Sequence, residues 1–226
     1  MERPNRFITM IEINGEIHRS HLPDPGRLKE LLLPNANLLV RAAPENSVRK
    51  TKFSTVMVNH KGQLISLVTA LPNQFVKEAL AKNEIPIFND YTLIRPEIPV
   101  GKHRFDFLLK DPNGLEFYLE VKSVTFVENG VAQFPDAVTE RGTKHALALK
   151  KLVEQGKGAG ILFVCQRPDA HSFRPMWERD PKLANAVLEA NKAGVKVWCI
   201  TLNISKTELT FNKEIPVNLE LNIGKS

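Results

Sequence analysis

The stretch LEFYLEVKSV, residues 115–124, alternates apolar and polar side chains like a half-buried strand, yet it places Glu120 and Lys122 where a covered strand favours apolar groups. Residues two apart on a strand project from one face, about 6.6 Å apart along it, so Glu120 and Lys122 are neighbours while Val121 points away. The preceding strand, HRFDFLL, contains Asp106. A hairpin folded about Pro112-Asn113 pairs residues whose numbers sum to about 225, which brings Asp106 beside Leu119 or Glu120. Two carboxylates and an ammonium on one patch of sheet repel unless they share a proton or a divalent cation such as Mg²⁺. A metal there would lower the pKa of a bound water, while the Lys122 ammonium orients that water or stabilises charge at a phosphoryl centre. Phosphodiester hydrolysis needs that set of groups. The alternative is an ordinary ion pair on a solvated sheet, worth less than ~1 kcal/mol. Three features favour the metal site: the apolar setting of the strand, the Asp at matching register, and an amphipathic helix bearing Glu78 upstream of both strands.

These groups need a scaffold, and the chain reads as two. In residues 1–70, RFITMIEI and EIHRS flank Asn14-Gly15, a strong hairpin signal, and KFSTVMVN and QLISLVT flank His60-Lys61-Gly62. NLLVRAA supplies a fifth strand, and PGRLKELLL reads as a helix opened by Pro25 and capped by Asp24. Five short strands with one helical insertion fit a small OB-like barrel, with an SH3-like barrel as the alternative. After Leu71-Pro72-Asn73 the texture changes. QFVKEALAKN is a short amphipathic helix, followed by the two strands about Asp111-Pro112-Asn113-Gly114. A helix over 142–155, the strand GILFVCQ, a helix over 181–193 and the strand VKVWCITL complete an α/β layer, a mixed sheet covered on both faces. The boundary falls near residue 71, giving an all-β part over 1–70 and an α/β part over 71–226; one continuous domain is the alternative.

Composition narrows the classes further. With 226 residues and 42% hydrophobic content the chain can bury a sizeable core. The opening residues MERPNRFITM form no signal peptide, and nowhere do ~18 consecutive apolar residues suggest a membrane span, so the chain reads as soluble and cytoplasmic. Cys165 and Cys199 each sit in a hydrophobic run and are expected as buried free thiols. The net charge of +6 is concentrated at the start: residues 1–70 hold 10 Lys or Arg against 6 Asp or Glu, the remaining 156 hold 21 against 19. That distribution suits a polyanion such as DNA, bound largely through its backbone. Arg27 and Lys29, the run Arg49, Lys50 and Lys52, and the group Arg141, Lys144 and His145 near a helix start are the candidate nucleic-acid contacts. The alternative for Arg27 and Lys29 is a capped helix that merely closes the barrel, and for the other two groups a solvated charged face. The first seventy residues offer only Phe7 and Phe53 as Phe, Tyr or Trp side chains, so base stacking is a poor basis for binding there.

The order helix-Glu78, strand-Asp106, strand Glu120-Val121-Lys122 resembles the PD-(D/E)xK nuclease superfamily. The longer segments HLPDPGRLKELLLP and FPDAVTERGTKH resemble signature segments of the sugar fermentation stimulation protein A family, and the resemblance spans essentially the whole chain. That resemblance implies an OB-type domain followed by a PD-(D/E)xK nuclease-like domain, DNA binding, and a regulatory role in sugar metabolism, maltose in particular. It also implies Asp106 and Glu120 as ligands of Mg²⁺ or Mn²⁺, the Val121 carbonyl as a third, Lys122 as the water-positioning residue and Glu78 as an accessory acid. The superfamily's usual Pro-Asp pair is Phe105-Asp106 here, which leaves the carboxylate in place. A nuclease-like fold can serve binding alone, so the expected function is a DNA-binding protein with a metal-dependent phosphodiesterase site, or else a non-catalytic regulator. The sequence leaves the oligomeric state open, a homodimer included.

Overall fold

The structure, a computed structural model, describes residues 3–221. Met1 and Glu2, part of the stretch read above as lacking a signal peptide, lie outside it. The N-terminal part is an OB-like five-stranded sheet of β1 (Ile8–Ile13), β2 (Glu16–His21), β3 (Asn37–Ala42), β4 (Phe53–His60) and β5 (Gln63–Ser66). Asn14 and Gly15, with φ of 53° and 83°, turn β1 into β2; Lys61 and Gly62, at 52° and 84°, turn β4 into β5. Both central positions at positive φ define the tight turn whose twist matches paired strands. β4 is the hub, with β3 along one side and β2 then β5 along the other. A buried hydroxyl chain, Thr9 to Thr55 to Ser20 at 2.8 Å per step, ties β1, β4 and β2 together.

The expected helix over PGRLKELLL is absent. Residues 25–33 run as turns, with Leu28 in the left-handed region at φ 49°. Tertiary contacts override local propensity: Leu22, Leu28 and Leu31 pack in the barrel core with Val58, Ile65 and Leu67, and Leu28 holds a positive φ that a continuous right-handed helix does not contain. Asp24 therefore caps no helix; its Oδ1 accepts the Gly26 N–H at 2.7 Å within an Asx-type turn.

The second part is a six-stranded mixed sheet flanked by helices. Its elements are α1 (Leu71–Lys82), β6 (Thr92–Val100), β7 (His103–Lys110), β8 (Glu116–Val124), β9 (Val127–Glu128), β10 (Val131–Phe134), α2 (Glu140–Glu154), β11 (Gly158–Cys165), β12 (Ser172–Pro175), α3 (Pro181–Lys192), β13 (Lys196–Ile204) and β14 (Leu209–Ile215). The order is β14-β13-β11-β8-β7-β6, with β8, β11 and β13 parallel and the outer pairs antiparallel. β9, β10 and β12 form a small side sheet that the sequence did not announce. One face of the main sheet packs Phe105, Tyr118, Ile161 and Phe163 against α2 and α3. The other packs Phe107, Leu119, Val121 and Leu162 against Phe75, Val76 and Ala79 of α1. Cys165 and Cys199 are buried free thiols, and burial pushes the Cys165 thiol up to about 12.

Two carboxylates organise the joints. Asp180 accepts the Leu183 N–H at 3.0 Å, starting α3, and the Thr139 N–H at 2.9 Å, holding the residue whose Oγ1 caps α2 by accepting from Gly142. Each such cap is worth about 1 kcal/mol. Asp136, carried on the chain between β10 and α2, accepts the Leu28 N–H at 2.7 Å and so grips the N-terminal part. Arg3 completes the joint by donating to the carbonyls of Gly26 at 2.7 Å and Arg6 at 2.8 Å.

Glu30 lies in the same joint with its Oε1 buried and without a hydrogen-bond partner. Burial first, then the charges of Asp136 and Asp24, raise its carboxyl from 4.5 to about 7 against the opposing backbone hydrogen bond and Arg167. Between these values the folded chain keeps a proton that the unfolded chain releases, so this group's contribution to stability falls as pH rises through that window. Glu30→Gln keeps the shape and removes the titration. Thermal melts of both proteins should nearly coincide at about pH 4 and separate as pH rises to about 8, with the Gln variant the more stable. A gap that does not grow with pH would show that Glu30 is freely solvated.

Candidate active site

The turn Asp111–Gly114 sets the hairpin that carries the site. Asp111 Oδ1 accepts from the N–H groups of Asn113 and Leu115, both at 2.9 Å, and fixes the register of β7 against β8. Phe107 stands opposite Leu119 and Lys110 opposite Glu116, pairs that sum to 226, one more than the sequence suggested. The ladder stops at Phe107. At the next position Asp106, facing the level of Glu120, turns its Oδ2 to the Val121 N–H at 2.7 Å. Asp106 and Glu120 thus line the same cleft, about 510 Å³ in volume, together with Lys122.

Glu120 is 3% exposed in the middle of the sheet. Its Oε1 accepts from the Lys122 ammonium and lies 2.5 Å from Nδ1 of His145 on α2, while Oε2 is buried with no hydrogen-bond partner. Burial pushes this carboxyl up, but the His145 hydrogen bond and the Lys122 charge outweigh it and hold it below 4.5. Asp106 behaves oppositely. Burial, then the neighbouring Glu120 charge, lifts it to about 6, with the Val121 N–H, Lys122 and the Asn73 amide offsetting part of the rise. Two carboxylates with opposed shifts in one cleft are the electrostatic mark of a site poised for a cation or a proton.

The structure gathers some of the expected residues and disperses others. Asp106, Glu120, Val121, Lys122 and Arg141 share the cleft, Arg141 exposed at its edge near the start of α2. Glu78 does not join them: it is exposed on α1, where it accepts from Gln74 at 3.0 Å, because the helix face that packs on the sheet is that of Phe75, Val76 and Ala79. The residue α1 does supply is Asn73, whose amide donates to Asp106 Oδ1 at 2.6 Å. His145 is 5% exposed and bound to Glu120, which removes it from the surface groups able to meet a phosphate. Lys144 is exposed and spaced as an i,i+4 partner of Glu140, 3.7 Å away. Arg27, Lys29, Arg49, Lys50 and Lys52 are exposed on the N-terminal part, outside the cleft lining.

Sequence reasoning missed Asn73, Arg6 and the pair Asp24 and Asp136, all of which line the cleft. His145 had a readable signal: Gly142, His145, Ala146 and Leu149 follow a helical buried face, all four being covered. Asn73 had none beyond its place in the first turn of a helix.

Among the described residues no group of three or more His, Cys, Asp or Glu side chains is arranged to hold a metal. Two carboxylates nevertheless suit an ion that keeps several of its waters, as Mg²⁺ does, and the unpartnered Glu120 Oε2 is a buried anionic oxygen without a hydrogen-bond donor. The residues present fit a hard divalent cation.

Comparison with known proteins bears on the whole chain. A family model described as the SfsA N-terminal OB domain matches residues 1–67, and one described as the sugar fermentation stimulation protein RE domain matches residues 70–208. A sugar fermentation stimulation protein homolog of Clostridium tetani is 39% identical over 219 residues, covering 97% of this chain and 95% of the relative. A homolog from Clostridium botulinum strain Langeland is 38% identical over 221 residues, covering 98% and 95%. The solved structure of Pyrococcus furiosus SfsA in complex with Ca²⁺ superposes with a TM-score of 0.85 at 28% identity, over 96% of this chain and 93% of that one. With family models over both parts and close relatives along nearly its full length, this chain belongs to the sugar fermentation stimulation protein (SfsA) family.

Proposed function

We propose that the protein binds DNA, largely through the phosphate backbone, and hydrolyses phosphodiester bonds with a divalent metal at Asp106 and Glu120. The observation that carries this reading is the buried Glu120 carboxylate, set beside Asp106 at the cleft with one oxygen unengaged and Lys122 on the other. Asp106 and Glu120 would hold Mg²⁺ or Mn²⁺, with the Val121 carbonyl as a third oxygen. A bound divalent ion supplies Lewis acidity and lowers the pKa of a coordinated water. The Pyrococcus furiosus relative was solved in complex with Ca²⁺, which supports reading this cleft as a place for a divalent cation.

The protein's own groups do the rest. Lys122, two residues from Glu120 on the same strand face, orients the attacking water and balances charge as the phosphoryl oxygens become more negative. Asn73 holds Asp106 by one oxygen and the Val121 N–H by the other, so the carboxylate meets the ion already fixed in place. Arg141 and Arg6, both exposed at the cleft, draw the phosphate backbone toward it. The +6 net charge and the exposed Arg27, Lys29, Arg49, Lys50 and Lys52 extend a basic surface for the same polyanion.

A second reading, a non-catalytic DNA-binding regulator of sugar metabolism genes, is favoured by one observation. The Lys122 ammonium and His145 already engage Glu120, and no third side-chain carboxylate joins the pair among the described residues.

Labelled DNA incubated with Mg²⁺ or Mn²⁺ separates the two. The wild type should cleave, and Asp106→Ala or Glu120→Ala should lose activity by a factor of ~100 or more while still retaining DNA in a mobility shift. Lys122→Ala should lose turnover while calorimetry still detects metal binding. No cleavage with any divalent ion would leave the regulator as the surviving reading.

Salt dependence tests the backbone-contact part. The logarithm of the DNA affinity should fall linearly with the logarithm of salt concentration for unrelated sequences alike. Arg141→Ala should make that line shallower by about one phosphate contact. An affinity insensitive to salt would overturn it.

A further inference from the structure

We infer that His145 is a positioning residue that fixes which oxygen of Glu120 faces a cation, a role that deepens the metal-site reading above and rests on it. A carboxylate torsion is broad and nearly two-fold, so one flexible ammonium leaves it free to rotate and exchange its oxygens. Glu120 has a second anchor. His145 Nδ1 stands 2.5 Å from the same Oε1 that Lys122 engages, and Oε2 is left with no partner. An ionised carboxylate only accepts hydrogen bonds, so the imidazole proton between them belongs to Nδ1.

The ring that holds this contact is itself held. His145 is 5% exposed and packs edge-on against Phe105 and His103, each with ring centroids 5.6 Å away. Its helix is fixed at the start by the Thr139 cap and by Asp180. Arg141 lies four residues earlier on the same helix, so α2 carries one group to the mouth of the cleft and another to its buried carboxylate. His145 touches neither a phosphate nor the ion in this arrangement. It acts through Glu120, by keeping Oε1 occupied and Oε2 available.

Removing such a partner of a metal ligand typically weakens metal binding by about 10–100-fold. Mn²⁺ alone, titrated calorimetrically into the full chain, reads this without any cleavage assay. His145→Leu keeps most of the ring's volume and lacks the donor; it should weaken Mn²⁺ binding by about 10–100-fold. His145→Asn, whose amide nitrogen stands near the position of Nδ1, should recover most of the loss. A Leu variant that binds Mn²⁺ as tightly as the wild type would overturn the assignment, and so would an Asn variant no better than Leu. Should the variants not fold, the wild type supplies the measurement: with ¹⁵N-labelled histidine, the His145 Nδ1–H resonance should shift in step with Mg²⁺ saturation, and a resonance that stays fixed sinks the proposal. A wild type that binds neither ion removes the metal-site reading itself, whereas tight wild-type binding unchanged in the Leu variant removes only the role of His145.

Discussion

A carboxylate buried in the centre of a sheet must be matched or it unfolds its surroundings, and Glu120 sets that condition here. Taking an ionised group out of water costs several kcal/mol, and losing one partner of a buried pair typically costs about 3–5 kcal/mol. Lys122 and His145 offset that cost from two different elements, β8 itself and α2. The match holds only if α2 docks on the face of the sheet that carries Phe105 and Tyr118. Its cap, its lie against α3 and the packing of His103 and Phe105 around the imidazole all serve that docking. The fold around the cleft is therefore organised about a charge and not only about apolar burial.

The two parts of the chain meet in a way that makes loop residues of the N-terminal part, Arg6 and Asp24 to Gly26 among them, line the site. Gly26 lies between two carboxylates: a Cβ there would come 2.9 Å from Asp24 Oδ1 and 3.1 Å from Asp136 Oδ2. Any side chain there would force one of these carboxylates to move, disturbing the bond that Asp24 accepts from the Gly26 amide. Arg179, donating to the Asp136 carbonyl at 2.5 Å and lying 3.3 Å from its Oδ1, holds the other side of the clasp. The segments HLPDPGRLKELLLP and FPDAVTERGTKH, far apart in sequence, are thus two halves of one joint.

Much of this was legible in the chain because local chemistry specifies it. Asn14-Gly15 and Asp111-Pro112-Asn113-Gly114 are turns by residue type, and the second sets the hairpin to within one residue of the register read from the sequence, which brings Asp106 to the level of Glu120. The E-x-K pair in an apolar strand advertises itself for the same reason. What stayed hidden depends on distant partners. RLKELLL has helical composition, but its Leu28 amide is claimed by Asp136, 108 residues away, and its leucines by the barrel core. β9, β10 and β12 run two to four residues each, too short to show a period. His145 followed Arg141 and Lys144 and read as one more basic surface group, although its spacing from Ala146 and Leu149 marks the covered face.

Asp180 carries a consequence for how this architecture can vary. By holding the starts of both α2 and α3, it closes the chain from Thr139 onward into a ring spanning 41 positions, passing through α2, β11 and β12. Length changes inside that ring must cancel or bulge outward at its surface turns, since its two ends meet at a single buried carboxylate. Closure entropy grows only slowly with length, so the ring tolerates longer excursions at those turns far more readily than a shift of either end. The turns between the helices are accordingly where added length costs least, while the two helix starts are tied to each other through one side chain.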